Sequence, residues 1–300
     1  MSEIQIKSPV LLQVLIITYL VGLNNYELLV SEWYEVHRVK PHLIAIYESL
    51  EKVDSRFLTQ QTNVFLILGS HTAILLDTGS GAQPLKALVT SLIEDRDLVV
   101  INSHNHFDHL GNNSEFDKIH IHAMDLKNAA NMYDVKFLSS SSGTLGNLAK
   151  DFTIKPCREI IPLIGGEIFD LGGIKVQTIY TPGHTQGSVC LRTDKNELFT
   201  GDTYHHGAYY LPPYERFQEL LDSLHELDQE INVDTTLFPA HEDYGISSKG
   251  VKKFENILRT TNFNDDHKEF NPFLDAYLMT VDEFILIYPR EGYVESPDWY

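Results

Sequence analysis

Hydrophobic positions change their period along this chain, and each change marks an element. Short apolar or alternating runs predict strands at 34–39 and 43–47. Two more runs, 62–68 and 72–76, flank Gly69-Ser70, a hairpin signal. The second run ends in the turn Leu76-Asp77-Thr78-Gly79-Ser80-Gly81. Leu85, Leu88, Val89, Leu92 and Ile93 recur at helical spacing and predict a helix over 83–93. A buried strand follows at 98–101, then a strand at 118–122 and a helix over 123–132. The serine run 139–143 reads as a flexible loop and a weak internal break. Residues 168–178 turn back at Gly172-Gly173, and 188–192 pairs with 197–200. Amphipathic helices are predicted at 214–229 and 248–258, and a strand or hairpin at 276–289. Strands alternate with helices but hairpins are frequent, which predicts a mixed α/β domain rather than a parallel βαβ array.

The N-terminus breaks this pattern. Residues 8–26 carry no charge and 10–23 are mostly apolar, a run shorter than a membrane span. We read residues 1–32 as an apolar extension packed as a helix, with membrane contact through 8–23 as the alternative. The expected location is accordingly cytoplasmic, with an N-terminally anchored form as the alternative. Composition narrows the function. Of 300 residues, 42 are acidic and 23 basic, a net charge of −19, which argues against nucleic acid as a partner and leaves a small molecule as substrate. Cys157 and Cys190 are too few for a disulfide scaffold or a thiolate zinc site, so any metal falls to histidine and carboxylate.

The 14 histidines are unevenly placed. After the strand at 98–101 the chain reads Ser103-His104-Asn105-His106-Phe107-Asp108-His109, with ligand-type side chains in the order His-x-His-x-Asp-His. His104 and His106, two apart on an extended loop, can face the same way, while Asp108 and His109 diverge and can serve a second ion. His184 in Thr181-Pro182-Gly183-His184-Thr185, Asp202 in Gly201-Asp202-Thr203 and His241 in Phe238-Pro239-Ala240-His241 each follow a predicted strand. Loops at one end of a sheet converge, so these residues can meet.

This set resembles the metallo-β-lactamase-fold hydrolase superfamily, with the Leu-Asp-Thr-Gly turn at 76–79 as a further match. The resemblance spans residues 33–258 and implies a four-layer αβ/βα sandwich with two mixed β-sheets. By it, 33–262 is the catalytic domain; it does not cover 263–300, which we read separately as an acidic aromatic tail packed on the same domain. It also implies two divalent metals, zinc foremost with iron or manganese as alternatives. His104, His106 and His184 would hold one ion, Asp108, His109 and His241 the other, and Asp202 would bridge them. Two such ions would supply a bridging hydroxide to attack a small ester, thioester or lactone, with Asp108 as catalytic proton acceptor. Aspartate at 202 resembles the glyoxalase II and lactonase branch. Histidine at 106 is unlike the iron-based oxygen-reducing relatives, which carry glutamate there. Asp77 is expected behind the ligands or as a turn cap, and Tyr204 and His205 near the substrate pocket. The lactonases place a tyrosine where this chain has His205, which weakens a lactonase reading. The alternatives are a mono-iron sulfur-oxidising dioxygenase of the same fold and a phosphodiesterase, the latter opposed by the acidic charge.

Overall fold

The computed structural model describes residues 29–30, 33–131, 133–134, 153–263 and 267–289. The apolar run 8–23 and the serine run 139–143 lie outside the described residues. Among the described residues no helix is long and apolar enough to cross a membrane.

The first sheet has eight strands: β1 (Leu29–Val30), β2 (Tyr34–Lys40), β3 (Leu43–Ser49), β4 (Gln61–Leu68), β5 (Thr72–Leu76), β6 (Asp97–Ile101), β7 (Lys118–His122) and β10 (Glu159–Leu163). Its first half is antiparallel and its second half, from β5 onward, parallel. The short β8 (Tyr133–Asp134) and β9 (Thr153–Ile154) pair with each other. The second sheet runs β11 (Ile168–Asp170), β12 (Lys175–Tyr180), β13 (Val189–Thr193), β14 (Glu197–Gly201), β16 (Thr236–Pro239) and β17 (Ile246–Ser247).

Side-chain alternation turns these sheets into layers. In β4, Phe65 and Ile67 point to one face, where they meet Phe199, Phe238 and Leu191 of the second sheet. Val64 and Leu66 point to the other, where they join Val89, Leu92 and Ile93 of helix α2 (Lys86–Ile93). Both faces are therefore apolar, as a sheet covered on both sides requires. Helix α1 (Leu50–Val53) buries Leu50 and Val53 in that outer core. The outer face of the second sheet is covered by α5 (Phe217–Glu230) and α6 (Lys249–Thr260), which bury Leu220, Leu224, Phe254 and Leu258. The result is the expected helix–sheet–sheet–helix order.

Helix boundaries depart from the periodicity for local reasons. The helix expected from residue 83 begins at Lys86, because Pro84 lacks an N–H and the Glu115 carboxylate accepts from the N–H groups of Leu85 (2.8 Å) and Lys86 (2.7 Å). Between the loop helix α3 (Phe107–Leu110) and α5, the helix expected over 123–132 is a 3₁₀ turn, Ala123–Asp125, followed by one turn of α4 (Leu126–Ala129). Residues 207–210, which show no strand periodicity, form β15 (Gly207–Tyr210). It pairs in parallel with β20 (Phe284–Pro289), which continues through β19 (Ala276–Val281) to β18 (Glu269–Asn271) as a third sheet.

The two hairpin signals dock on each other. Ser70 N–H donates to the Gly172 carbonyl (2.9 Å), and the N–H groups of His71 and Thr72 donate to that of Leu171 (3.3 Å each). A Cβ on Gly69 would overlap the Leu171 carbonyl. Gly69→Ala should therefore cost about 1–3 kcal/mol through forced separation of the two sheets, read as a lower denaturant midpoint; an unchanged midpoint would contradict this docking.

Candidate metal centre

Strand ends set the site. β6 leads into His104, β12 into His184, β14 into Asp202 and β16 into His241. Backbone bonds then stitch the two sheets together at this edge. Asn63 N–H donates to the Ala240 carbonyl (2.6 Å), Ala240 N–H to that of Gly201 (3.2 Å) and Val189 N–H to that of Ser103 (2.9 Å). Gly183 sits at φ 142, and a Cβ there would overlap the backbone of Leu220, so the turn before His184 lies flat against α5.

All seven predicted ligands meet. Potential donor atoms of His104, His106, His184 and Asp202 lie within 4.8 Å of one another, and so do those of Asp108, His109 and His241. Asp202 stands between the groups. Its Oδ2 is 3.3 Å from His184 Nε2 and 3.2 Å from His241 Nε2, while its Oδ1 is 3.5 Å from His109 Nε2. Asp108 Oδ2 lies 3.6 Å from His109 Nε2 and 3.5 Å from His241 Nε2. His184 Nε2 and His106 Nδ1 approach to 3.0 Å.

The outer ring nitrogens of four of the ligand histidines are spoken for, whereas His106 Nε2 is buried with no hydrogen-bond partner. His241 Nδ1 donates to the Gln61 carbonyl (2.6 Å), His184 Nδ1 to the Tyr210 carbonyl (3.2 Å) and His109 Nδ1 to Asp77 Oδ2 (2.9 Å). Ser103 Oγ donates to Asp77 Oδ2 (2.8 Å) and so accepts from His104 Nδ1 (3.0 Å). Each of these bonds turns the Nε2 edge of its ring inward, toward the other donors. Yet His104 Nε2, His109 Nε2 and Asp202 Oδ1 are buried with no hydrogen-bond partner. Buried polar atoms without partners are costly, and a cation is the group that satisfies several lone pairs at once. Nitrogen and oxygen donors without sulfur suit zinc, iron or manganese.

Electrostatics divide the cluster. Burial, joined by the neighbouring His109 charge, holds His104 well below the usual imidazole range. Burial likewise lowers His184 well below that range and pushes His106 down to about 4. For His109 burial acts the same way, but the carboxylates of Asp108, Asp202 and Asp77 outweigh it and hold the ring well above its ordinary value. His241 is raised to about 8 against burial, chiefly by Asp202. Asp202 is held well below the carboxylate range, because His241, His109 and His104 outweigh the cost of burying it. A cation entering the first group meets neutral rings, whereas one entering the second displaces protons.

Asp77 lies behind the ligands, at φ 66 in its turn, and also accepts from Ser103 N–H (2.7 Å). His205 lines the cavity above the cluster, stacked on Tyr209 with ring centroids 4.9 Å apart. Tyr204 does not reach the cavity. It is buried against Phe254 and Phe284, its hydroxyl 2.9 Å from His206 Nε2. Two supporting carboxylates went unnoticed in the sequence. Asp125 accepts from Thr185 Oγ1 (2.6 Å) and Gly187 N–H (2.9 Å) and so pins the His184 loop. Glu48 accepts from Ser80 N–H (2.8 Å) and Ser80 Oγ (2.7 Å) beneath the Asp77 turn. Neither lies in a ligand-like string; a lone acidic residue on an apolar strand was the only signal for Glu48.

Asp77→Asn should weaken zinc affinity about 10–100-fold in a chelator competition, because the amide cannot accept from both His109 and Ser103; unaltered affinity would reduce Asp77 to a turn cap. Burial raises Glu48 to about 7, an effect its Ser80 bonds only partly offset. The unfolded carboxyl ionises near 4.5, so the fold loses stability as pH rises from there through 7. In the chelated protein Glu48→Gln should match the wild type near pH 5, gain on it up to about pH 7 and level off above, by thermal unfolding; a difference constant with pH would contradict this.

The metallo-beta-lactamase superfamily profile matches residues 59–241. A human protein, acyl-coenzyme A thioesterase MBLAC2, is 28% identical over 216 residues, which cover 65% of this chain and 76% of that one. The atrochrysone carboxyl ACP thioesterase of Aspergillus terreus is 24% identical over 172 residues, 56% of this chain and 45% of its own. Among solved structures, a metallo-beta-lactamase from Pontibacter korlensis aligns with a TM-score of 0.57 at 15% identity, covering 76% of this chain and all (100%) of that one. A Thermus thermophilus family protein gives 0.54 at 16% identity, over 74% and 80%. The chain belongs to the metallo-beta-lactamase superfamily and is a hydrolase.

Proposed function

We propose that this hydrolase cleaves an acyl thioester, with two divalent ions, zinc foremost, at the histidine–aspartate cluster. The observation that carries the reading is a cavity of about 120 Å³ whose lining is of two kinds. One kind is the ligand-type set His106, Asp108, His184, Asp202, His205 and His241; the other is mainly leucine, phenylalanine, alanine, isoleucine and proline, with Thr59, Asp275 and two tyrosines among them. An apolar acyl group with a polar carbonyl fits this division. Among the described residues no lysine or arginine lines the cavity, which speaks against a phosphodiester at its centre. The relatives named as thioesterases support the same reaction class.

His104, His106 and His184 would hold one ion and Asp108, His109 and His241 the other, with Asp202 between them. When bound, such ions supply Lewis acidity and hydroxide at neutral pH. The chain's own groups do the rest. Asp108, whose Oδ2 also takes a 3.4 Å bond from Thr62 Oγ1, accepts the proton of the attacking water at that oxygen. The water oxygen joins the carbonyl carbon, the carbon–sulfur bond breaks, and the proton passes from Asp108 to the departing thiolate. His205, which burial pushes down to about 4, stays neutral and walls the cavity beside His241, with ring centroids 5.0 Å apart. The aromatic walls exclude bulk water from the carbonyl.

A panel of esters, thioesters, lactones and phosphodiesters, run with metal quantification, tests the reading. Thioesters should turn over fastest, and His106→Ala and Asp202→Ala should lose both hydrolysis and bound metal. Wild-type turnover in the double variant would reject the site.

A further inference from the structure

The apolar lining of the cavity is built largely by a segment beyond the family match, which stops at residue 241. Phe273 and Leu274 come from the approach to β19, Ala276 from its first position and Ile287 from β20, with Asp275 the one carboxylate of this segment in the lining. Phe57 and Phe107, stacked with centroids 5.5 Å apart, face them from the other side.

This wall is tied to the metal cluster. β15 pairs with β20 in register, Ala208 against Ile285 and Tyr210 against Ile287. The Tyr210 carbonyl is also the acceptor for His184 Nδ1. One strand therefore holds a ligand histidine on one side and the apolar wall on the other. The loop carrying Phe273 and Leu274 is fixed as well. Asn271 Oδ1 accepts from both of their N–H groups (2.9 and 3.1 Å). Arg56 lies over the Phe273 ring at 4.1 Å while its guanidinium is clamped by the buried Asp54.

We infer that residues 273–289 are the specificity element of this enzyme, a rigid wall that selects straight acyl groups of about four to eight carbons. The length follows from the volume. A cavity of about 120 Å³ is close in size to one that takes a single benzene ring, at about 150 Å³. The inference rests on the thioester reading for the reaction, but the wall selects an apolar chain whatever bond is cut.

Two measurements separate the claims. The first is kcat/KM for straight-chain thioesters of one thiol carrier, from two to sixteen carbons. It should peak within the stated range and fall about tenfold once the chain outgrows the wall. Leu274→Ala should move the peak to longer chains and Ala276→Leu to shorter ones. The second is the thermal shift of the zinc-loaded protein with free carboxylic acids of the same lengths, which needs no turnover. It should show the same length preference, displaced the same way by each variant. Thioester turnover with a length profile that neither variant moves would overturn the wall and leave the reaction standing. A length-selective thermal shift without thioester turnover would overturn the reaction and leave the wall standing. If either variant fails to fold, the wild-type acid series decides: equal shifts at all lengths would overturn the wall.

Discussion

Burying imidazoles and carboxylates at the meeting edge of two sheets is unfavourable unless each inward atom finds a partner, and the molecule is arranged around this constraint. Asp77 shows how it is met on the protein side. One buried carboxylate takes bonds from His109, Ser103 N–H and Ser103 Oγ, and through that hydroxyl it also sets the tautomer of His104. Gln61 and Tyr210 carbonyls do the same for His241 and His184 from β4 and β15. The inward Nε2 atoms of His104 and His109 and Asp202 Oδ1 are left with no hydrogen-bond partner. A cation resolves that deficit in a single step, and so the strands, the turns and the chemistry share one cause.

The ligand set was legible because its chemistry is local. A His-x-His-x-Asp-His string on a strand end is unusual enough to be seen in one sequence, and His184, Asp202 and His241 each stand at a strand end of their own. The layers were legible for the same reason, since strands such as Gln61–Leu68 show apolar residues on both faces. What escaped was non-local. Helix α2 starts late because Glu115, far along the chain, caps it. β15 is four residues of Gly-Ala-Tyr-Tyr that become a strand only by pairing with β20, so no periodicity announced it. Tyr204 and His205 are neighbours in sequence, yet one faces the outer core and the other the cavity; they lie in the bend between β14 and β15, where no strand alternation indicates which faces which way.

The family likeness and the pocket draw on different parts of the chain. The matched region supplies the strand ends that carry the ligands, while the wall of the cavity comes mostly from residues beyond it. A reaction centre set by the layers and lined in part from outside the matched segment is the expected way for one fold to serve many substrates, because function resides in the site and its lining rather than in the layers.

The central claim is that the cluster is a metal centre divided about Asp202. Crystals of the zinc-loaded protein, measured on both sides of the zinc absorption edge, test it most directly. The account predicts two anomalous peaks, one against His104, His106 and His184 and one against Asp108, His109 and His241, with Asp202 beside both. No peak at the cluster, or zinc bound only at other residues, would contradict it.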